Sequence, residues 1–126
     1  MSVAFDTNQR LIIVPAEVYG PLGSRSVHLA LDTAATETVI SRRVLAILGY
    51  ALTSSQTVPV IMGGGVTSVP LITLDSLEAL DQAQSKVIVQ AHTLPVSLPV
   101  DGLLGLDYIR GQRLVVDYRA GEITLA

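Results

Sequence analysis

The chain has no cysteine and no tryptophan, and its only aromatics are one phenylalanine and four tyrosines. Without thiols it can build neither disulfides nor thiolate metal sites, so the redox compartment stays open. With so few rings, the core must be made of Val, Leu, Ile and Ala. Charge is sparse as well: 15% of the 126 residues are Asp, Glu, Lys or Arg, and the net charge is −3. A weakly acidic chain argues against nucleic acid or anionic membrane as partners, because both select basic patches. The two histidines, His28 and His92, lie in separate apolar stretches, which excludes a zinc-ligand cluster. No run is long or apolar enough to span a bilayer, and the start, with Asp6 and Asn8, lacks a signal peptide's layout. The expectation is a soluble, cytoplasmic chain with no membrane partner; a trimmed anchor or a larger precursor stays open.

What is present is apolar residue in short runs. Hydrophobic residues make up 49% of the chain, enough for one domain over 1–126 with a real core and for a subunit interface besides. The runs are rich in β-branched residues and broken by Gly and Pro, which reads as strands. Leu11-Ile12-Ile13-Val14 breaks at Pro15, a residue that cannot donate to a ladder and so marks an edge or bulge. After the turn cluster Gly20 to Ser24, the chain alternates: Val27, Leu29 and Leu31 on one face; Ser26, His28 and Ala30 on the other. These two runs predict a hairpin that ends at Asp32. A short strand over 37–40 follows, then Ser41 as the N-cap of a helix over 42–48, stopped by Gly49.

Two strands, 56–62 and 66–74, flank Gly63-Gly64-Gly65, a plain hairpin tip or a mobile cover whose backbone can lie against a ligand. The stretch 76–84 has helical spacing at Leu77 and Leu80, and also reads as strand with a turn over 79–83, the version adopted here. Val87-Ile88-Val89 is a strand. Leu103-Leu104 is an apolar pair closed by Gly105, followed by a short helix over 106–110, and a hairpin bent at Gly121 ends the chain over 112–126.

Asp32 is the residue that asks for an explanation. An apolar run, Leu29-Ala30-Leu31, delivers a lone acid followed by Thr33, Ala34 and Ala35. An ionised acid at the end of a buried strand needs partners, and small residues beyond it let other groups approach. Taken alone, the stretch reads better as a strand end where Asp32 starts a turn.

Together, Leu31-Asp32-Thr33-Ala34-Ala35-Thr36 and Gly102-Leu103-Leu104-Gly105-Leu106-Asp107 resemble the two signatures of retropepsin-like aspartic proteases, in the form seen in cellular and bacterial members. The order of helix, glycine hairpin and apolar-apolar-Gly element extends the resemblance from about Leu11 to Leu125. It implies an all-β fold, a closed retropepsin-like barrel with one or two short helices and a flap hairpin over about 56–74. It implies an aspartic endopeptidase acting on polypeptide as a homodimer, with Asp32 of each copy catalytic and no metal or cofactor. Thr33 and Ala34 would support the active loop, and Gly63, Gly64, Gly65 and Leu104 would line the flap and pocket.

Two departures stand out. Ala34 takes the place of the family's usual Gly, which predicts slower turnover or a wider-spaced pair of acids. Thr36 and Leu106 replace an acid and a base that pair in many viral members, a loss on both sides. Other chemistries fit less well. A phosphorylated Asp needs further Mg²⁺-binding acids, and no Gly-x-Ser-x-Gly elbow is present. The competing function is a retropepsin-like dimer that binds peptides without cutting them.

Overall fold

The computed structural model describes residues 2–53 and 56–126. In chain order these form β1 (Ser2–Ala4), β2 (Ile13–Gly20), β3 (Gly23–Leu31), β4 (Val39–Ser41), α1 (Arg42–Ile47), β5 (Thr57–Met62), β6 (Gly65–Thr73), β7 (Ser76–Ala79), β8 (Gln82–Ser85), β9 (Ile88–His92), β10 (Gly102–Leu104), α2 (Leu106–Ile109), β11 (Leu114–Asp117) and β12 (Glu122–Leu125). The fold is mostly β with two short helices, as the sequence predicts. Nine strands pair in the order β5-β6-β9-β4-β10-β3-β2-β7-β8, and three more in the order β1-β12-β11.

The β2–β3 hairpin is the frame. Its register runs from Ile13 opposite Ala30 to Gly20 opposite Gly23. β2 passes straight through Pro15 rather than breaking there. The reciprocal pairing is in phase with the Leu31 N–H to Ile12 O bond (2.8 Å), so position 15 turns its nitrogen away from β3. β7 does not reach that side until Ala16, and no ladder bond is lost. Val14, Val18, Val27 and Leu29 point inward and are almost fully buried. Ala30, expected on the polar face, is also buried, beside its register partner Leu103 on β10.

Helix α1 begins where the sequence says it should. The Ser41 side chain accepts from the Val44 N–H at 3.2 Å, and Gly49 takes φ +88° just past the end. Val44, Leu45 and Leu48 form its buried stripe.

The stretch 76–84 is neither a helix nor a strand with a long turn. It is a tight hairpin whose two central residues, Leu80 and Asp81, both have positive φ (53° and 61°). Such a turn ordinarily calls for Asn-Gly or Gly-Gly. Here Leu80 is held in it by burial, with its side chain 3% exposed in the core. Tyr108 also fastens the turn: its buried hydroxyl accepts from the Ala79 N–H (3.1 Å) and donates to the Gln82 carbonyl (2.7 Å). Burial pushes the Tyr108 phenol upward; the Ala79 bond opposes this, and the Glu78 charge adds to it. Strand β1, absent from the sequence reading, pairs Ser2, Val3 and Ala4 with Thr124, Ile123 and Glu122.

Candidate functional site

The middle of the large sheet places Asp32. β10 lies between β3 and β4, parallel to the first and antiparallel to the second. The chain leaves β3 at Leu31, loops through residues 32–38 and returns as β4, so this loop must cross the end of β10. The crossing requires backbone against backbone. A Cβ on Gly102 would sit 2.0 Å from the Val39 carbonyl oxygen, and one on Gly105 would sit 2.8 Å from that of Glu37 and 2.9 Å from that of Ala35. Both glycines are therefore demanded by the crossing.

The loop is tied at every turn. Asp32 N–H donates to the Leu104 carbonyl (3.0 Å), continuing the β3–β10 ladder one residue past the strand. Asp32 Oδ1 accepts from the Ala34 N–H (2.9 Å), and its carbonyl accepts from the Ala35 N–H (3.2 Å). Leu106 N–H then donates to the Ala35 carbonyl at 2.8 Å. The carboxylate is half-buried, while Thr33, Ala34 and Thr36 are exposed. Asp32 thus makes the turn that its sequence context suggested, and its other carboxylate oxygen accepts no hydrogen bond among the described residues.

Beneath the loop lies a brace that sequence reasoning missed. Thr38, fully buried, accepts from the Gly105 N–H (3.1 Å) and donates to Asp107 Oδ1 (2.8 Å). Asp107 Oδ2 accepts from the Thr38 N–H at 3.0 Å, and Oδ1 also accepts from the Tyr108 N–H at 2.9 Å. One carboxylate therefore clamps the returning chain to the start of α2 by charge-assisted bonds. Thr36 and Leu106 carry no charge, and the neighbouring pair Thr38 and Asp107 ties the loop to α2. The available signal was a Thr six residues after Asp32 and an Asp two after Gly105.

Alongside runs a polar row. Gln90 Nε2 donates to Glu37 Oε1 (3.1 Å), and Gln90 Oε1 lies 2.8 Å from His92 Nε2. Burial lowers the His92 pKa below its ordinary value.

The three glycines form the exposed tip of the β5–β6 hairpin, with Gly65 at φ +146° and nothing within 4 Å of the Cβ positions of Gly63, Gly64 and Gly65. Ile61 and Val66 beside the tip are 87% and 69% exposed. Leu104, expected in a pocket, corrects the sequence reading: it is 0% exposed and packed in the core. Side chains alternate along β10, so Leu103 takes the partly open side. The larger concavities of the single chain, about 510, 570 and 610 Å³, are lined by other segments and not by Asp32 or the glycine tip. Among the described residues, no three His, Asp or Glu side chains gather as a metal site would need.

With this geometry in view, comparison with known proteins is direct. No curated protein matches the sequence. A retropepsin-like aspartic protease from Rickettsia conorii, known from a crystal structure, superposes with a TM-score of 0.71 over 99% of this chain and 88% of that one, at 16% identity. At that identity the likeness speaks for the fold. The sequence model of the aspartyl proteases matches residues 14–108, from the first strand of the frame hairpin through Tyr108. This chain therefore belongs to the aspartyl protease family and carries its retropepsin-like fold.

Proposed function

We propose that the protein is an aspartic endopeptidase that works as a homodimer, with the two Asp32 carboxylates meeting across a two-fold axis. The observation that carries this is a count. The β3–β10–β4 crossing presents one half-buried carboxylate, one oxygen of which accepts no hydrogen bond among the described residues, and acid–base hydrolysis of a peptide needs two carboxylates. One such domain supplies one acid, and a second copy of it related by a two-fold supplies the other.

Two carboxylates at close range share one proton, since both cannot ionise cheaply side by side. The ionised one draws a proton from a water held between them as the water oxygen bonds to the peptide carbonyl carbon. The protonated one gives its proton to the carbonyl oxygen. Collapse of this tetrahedral species breaks the C–N bond: the carboxyl that took the water proton gives it to the leaving nitrogen, while the other, now ionised, carboxylate takes a proton from one of the two hydroxyls, which restores the shared-proton pair. Both acid and base come from the chain, so no cofactor enters the reaction.

Thr33 is exposed at the loop tip, where its hydroxyl can brace the partner's loop. Ala34 contributes its N–H to Asp32 and adds one methyl at the surface facing substrate. The Gly63–Gly65 tip, free of side chains, closes over an extended polypeptide, with Ile61, Val66 and Leu103 offering apolar contact. These groups favour cleavage between apolar residues.

The test is hydrolysis of an unfolded polypeptide library at mildly acidic pH by the wild type and by Asp32→Asn. Cleavage between apolar residues by the wild type alone is expected. Cleavage that survives Asp32→Asn would sink the assignment, and a dimer that holds peptides without cutting them would mark a binding module.

A further inference from the structure

We propose that a cleft at the far end of β4 and β9 binds the carboxyl-terminal end of a peptide whose last side chain is apolar. The cleft stands on geometry alone. The choice of occupant rests on the protease reading, because a cut between apolar residues releases an end of that kind.

Its place follows from strand direction. β4 and β9 run parallel, leaving the Asp32 loop behind, and bring Ser41 beside His92 at their ends. β10 runs the other way and starts from that same end, where the Ser41 N–H donates to the Asp101 carbonyl at 2.8 Å. Residues 93–101 connect β9 to β10 there. A cleft of about 570 Å³ opens between this connection and the start of α1. Sites for small ligands span about 300–1,000 Å³. Gly105 and the Asp32 loop lie at the opposite end of β10, so a ligand in this cleft leaves the acid uncovered.

The lining divides by chemistry. Leu94, Val96 and Leu98 give an apolar wall, and Arg42, Arg43 and His92 give positive or proton-donating groups. Val96 is fully exposed and Leu98 is exposed as well, so the wall is open to an incoming chain. Among the described residues neither guanidinium has an acidic partner. Asp101, an acid on the same lining, turns Oδ2 to the His28 N–H at 3.0 Å. His92 gives its Nε2 proton to Gln90 Oε1, 2.8 Å away, since an amide oxygen only accepts; Nδ1 is left for a ligand. The backbone end of α1 takes no part, because the Ser41 hydroxyl already accepts from the Val44 N–H. The charge comes from side chains alone.

A guanidinium grips a carboxylate through two parallel N–H bonds, and the apolar wall beside it takes the residue that carries the carboxylate. A bare anion would leave the wall unused, and a neutral apolar ligand would leave both arginines unpaired. In the proposed reaction every cut leaves a carboxylate on an apolar residue, so the cleft would hold a product chain by its new end.

The probe is an N-acetylated peptide ending in Val-Leu with a free carboxylate, titrated by calorimetry into the chain carrying Asp32→Asn, so that nothing is cut. Binding should weaken about tenfold or more when the peptide is amidated, and by as much in the Arg42→Gln/Arg43→Gln double variant with an unchanged circular dichroism spectrum. Val96→Asp, a change at a fully exposed position, should weaken it too. Burial holds the His92 pKa below its ordinary value, and a carboxylate against the ring should raise the pH at which its NMR signal titrates. An amide that binds as tightly as the acid, or binding untouched by the Arg42, Arg43 and Val96 changes, overturns the cleft as the site. Decanoate binding more tightly than the peptide overturns the choice of a peptide end. A wild type that cuts polypeptide while the Asp32→Asn chain takes up no probe overturns the cleft and leaves the protease standing. Probe binding by a chain whose wild type cuts nothing supports the cleft and counts against the protease.

Discussion

Replacing Thr38 by valine preserves the shape of the side chain and removes one oxygen from the most crowded point of the β3–β10–β4 crossing. That oxygen donates to Asp107 Oδ1 at 2.8 Å and accepts from the Gly105 N–H at 3.1 Å, in a residue with no exposed surface. A hydrogen bond to a carboxylate contributes about 1.5–3 kcal/mol, and a buried N–H left without a partner costs about 1–3 kcal/mol. Asp107 keeps two backbone donors, from Thr38 and Tyr108, so its own loss is partial. We therefore expect Thr38→Val to lose about 3–5 kcal/mol in urea unfolding, measured at fixed protein concentration, while Thr38→Ser stays within about 1 kcal/mol of wild type. Cleavage should fall with stability, because the same clamp holds the loop that carries Asp32. A double-mutant cycle with Asp107→Ala should show strong coupling, each change removing what the other had left. A Thr38→Val chain that loses less than about 1 kcal/mol would refute the idea that this pair tethers the active loop.

Gly102→Ala forces a methyl to 2.0 Å from the Val39 carbonyl oxygen, against the backbone of β4, and should cost about 3 kcal/mol or more; recovery of soluble, fully folded protein would contradict it. Tyr108→Phe removes the buried hydroxyl that accepts from the Ala79 N–H and donates to the Gln82 carbonyl and should cost about 1–3 kcal/mol by urea unfolding, with faster amide exchange at the Leu80-Asp81 turn. The lowered pKa of His92 means that the unfolded chain binds the proton first as pH falls through 6.5. Stability from this group is then full above the unfolded pKa and declines as pH drops towards the folded value. The urea midpoint of the wild type should fall more than that of His92→Gln between about pH 7.5 and about pH 5.5, and equal slopes would remove His92 as a cause.

How much of this was legible in the sequence follows from the range of the interactions. The β2–β3 hairpin, the Ser41 cap, the Gly49 stop and the glycine hairpin rest on neighbouring residues, and the structure has each of them. The resemblance placed Asp32 and Gly105 in one site because the crossing fixes both spacing and residue type. Elements that depend on distant packing were hidden. Leu80 and Asp81 adopt left-handed geometry that neither residue prefers, and only core burial and the Tyr108 hydroxyl hold them there. Strand β1 is too short to show periodicity and exists through β12 at the far end of the chain. Leu104 was read as pocket wall because a motif does not say which of two adjacent leucines faces inward; strand alternation does. The Thr38–Asp107 clamp joins residues that no local pattern connects, and it appears once β10 lies between β3 and β4.

The central claim is that one active site is built from two chains, and subunit mixing tests it most directly. Wild type and Asp32→Asn are mixed at constant total concentration, allowed to exchange, and assayed on an unfolded polypeptide. If both acids are needed, activity follows the square of the wild-type fraction and falls to about one quarter at equal mixing. A decline in simple proportion to the wild-type fraction, leaving about one half, would mean that each chain acts alone and would contradict the shared site.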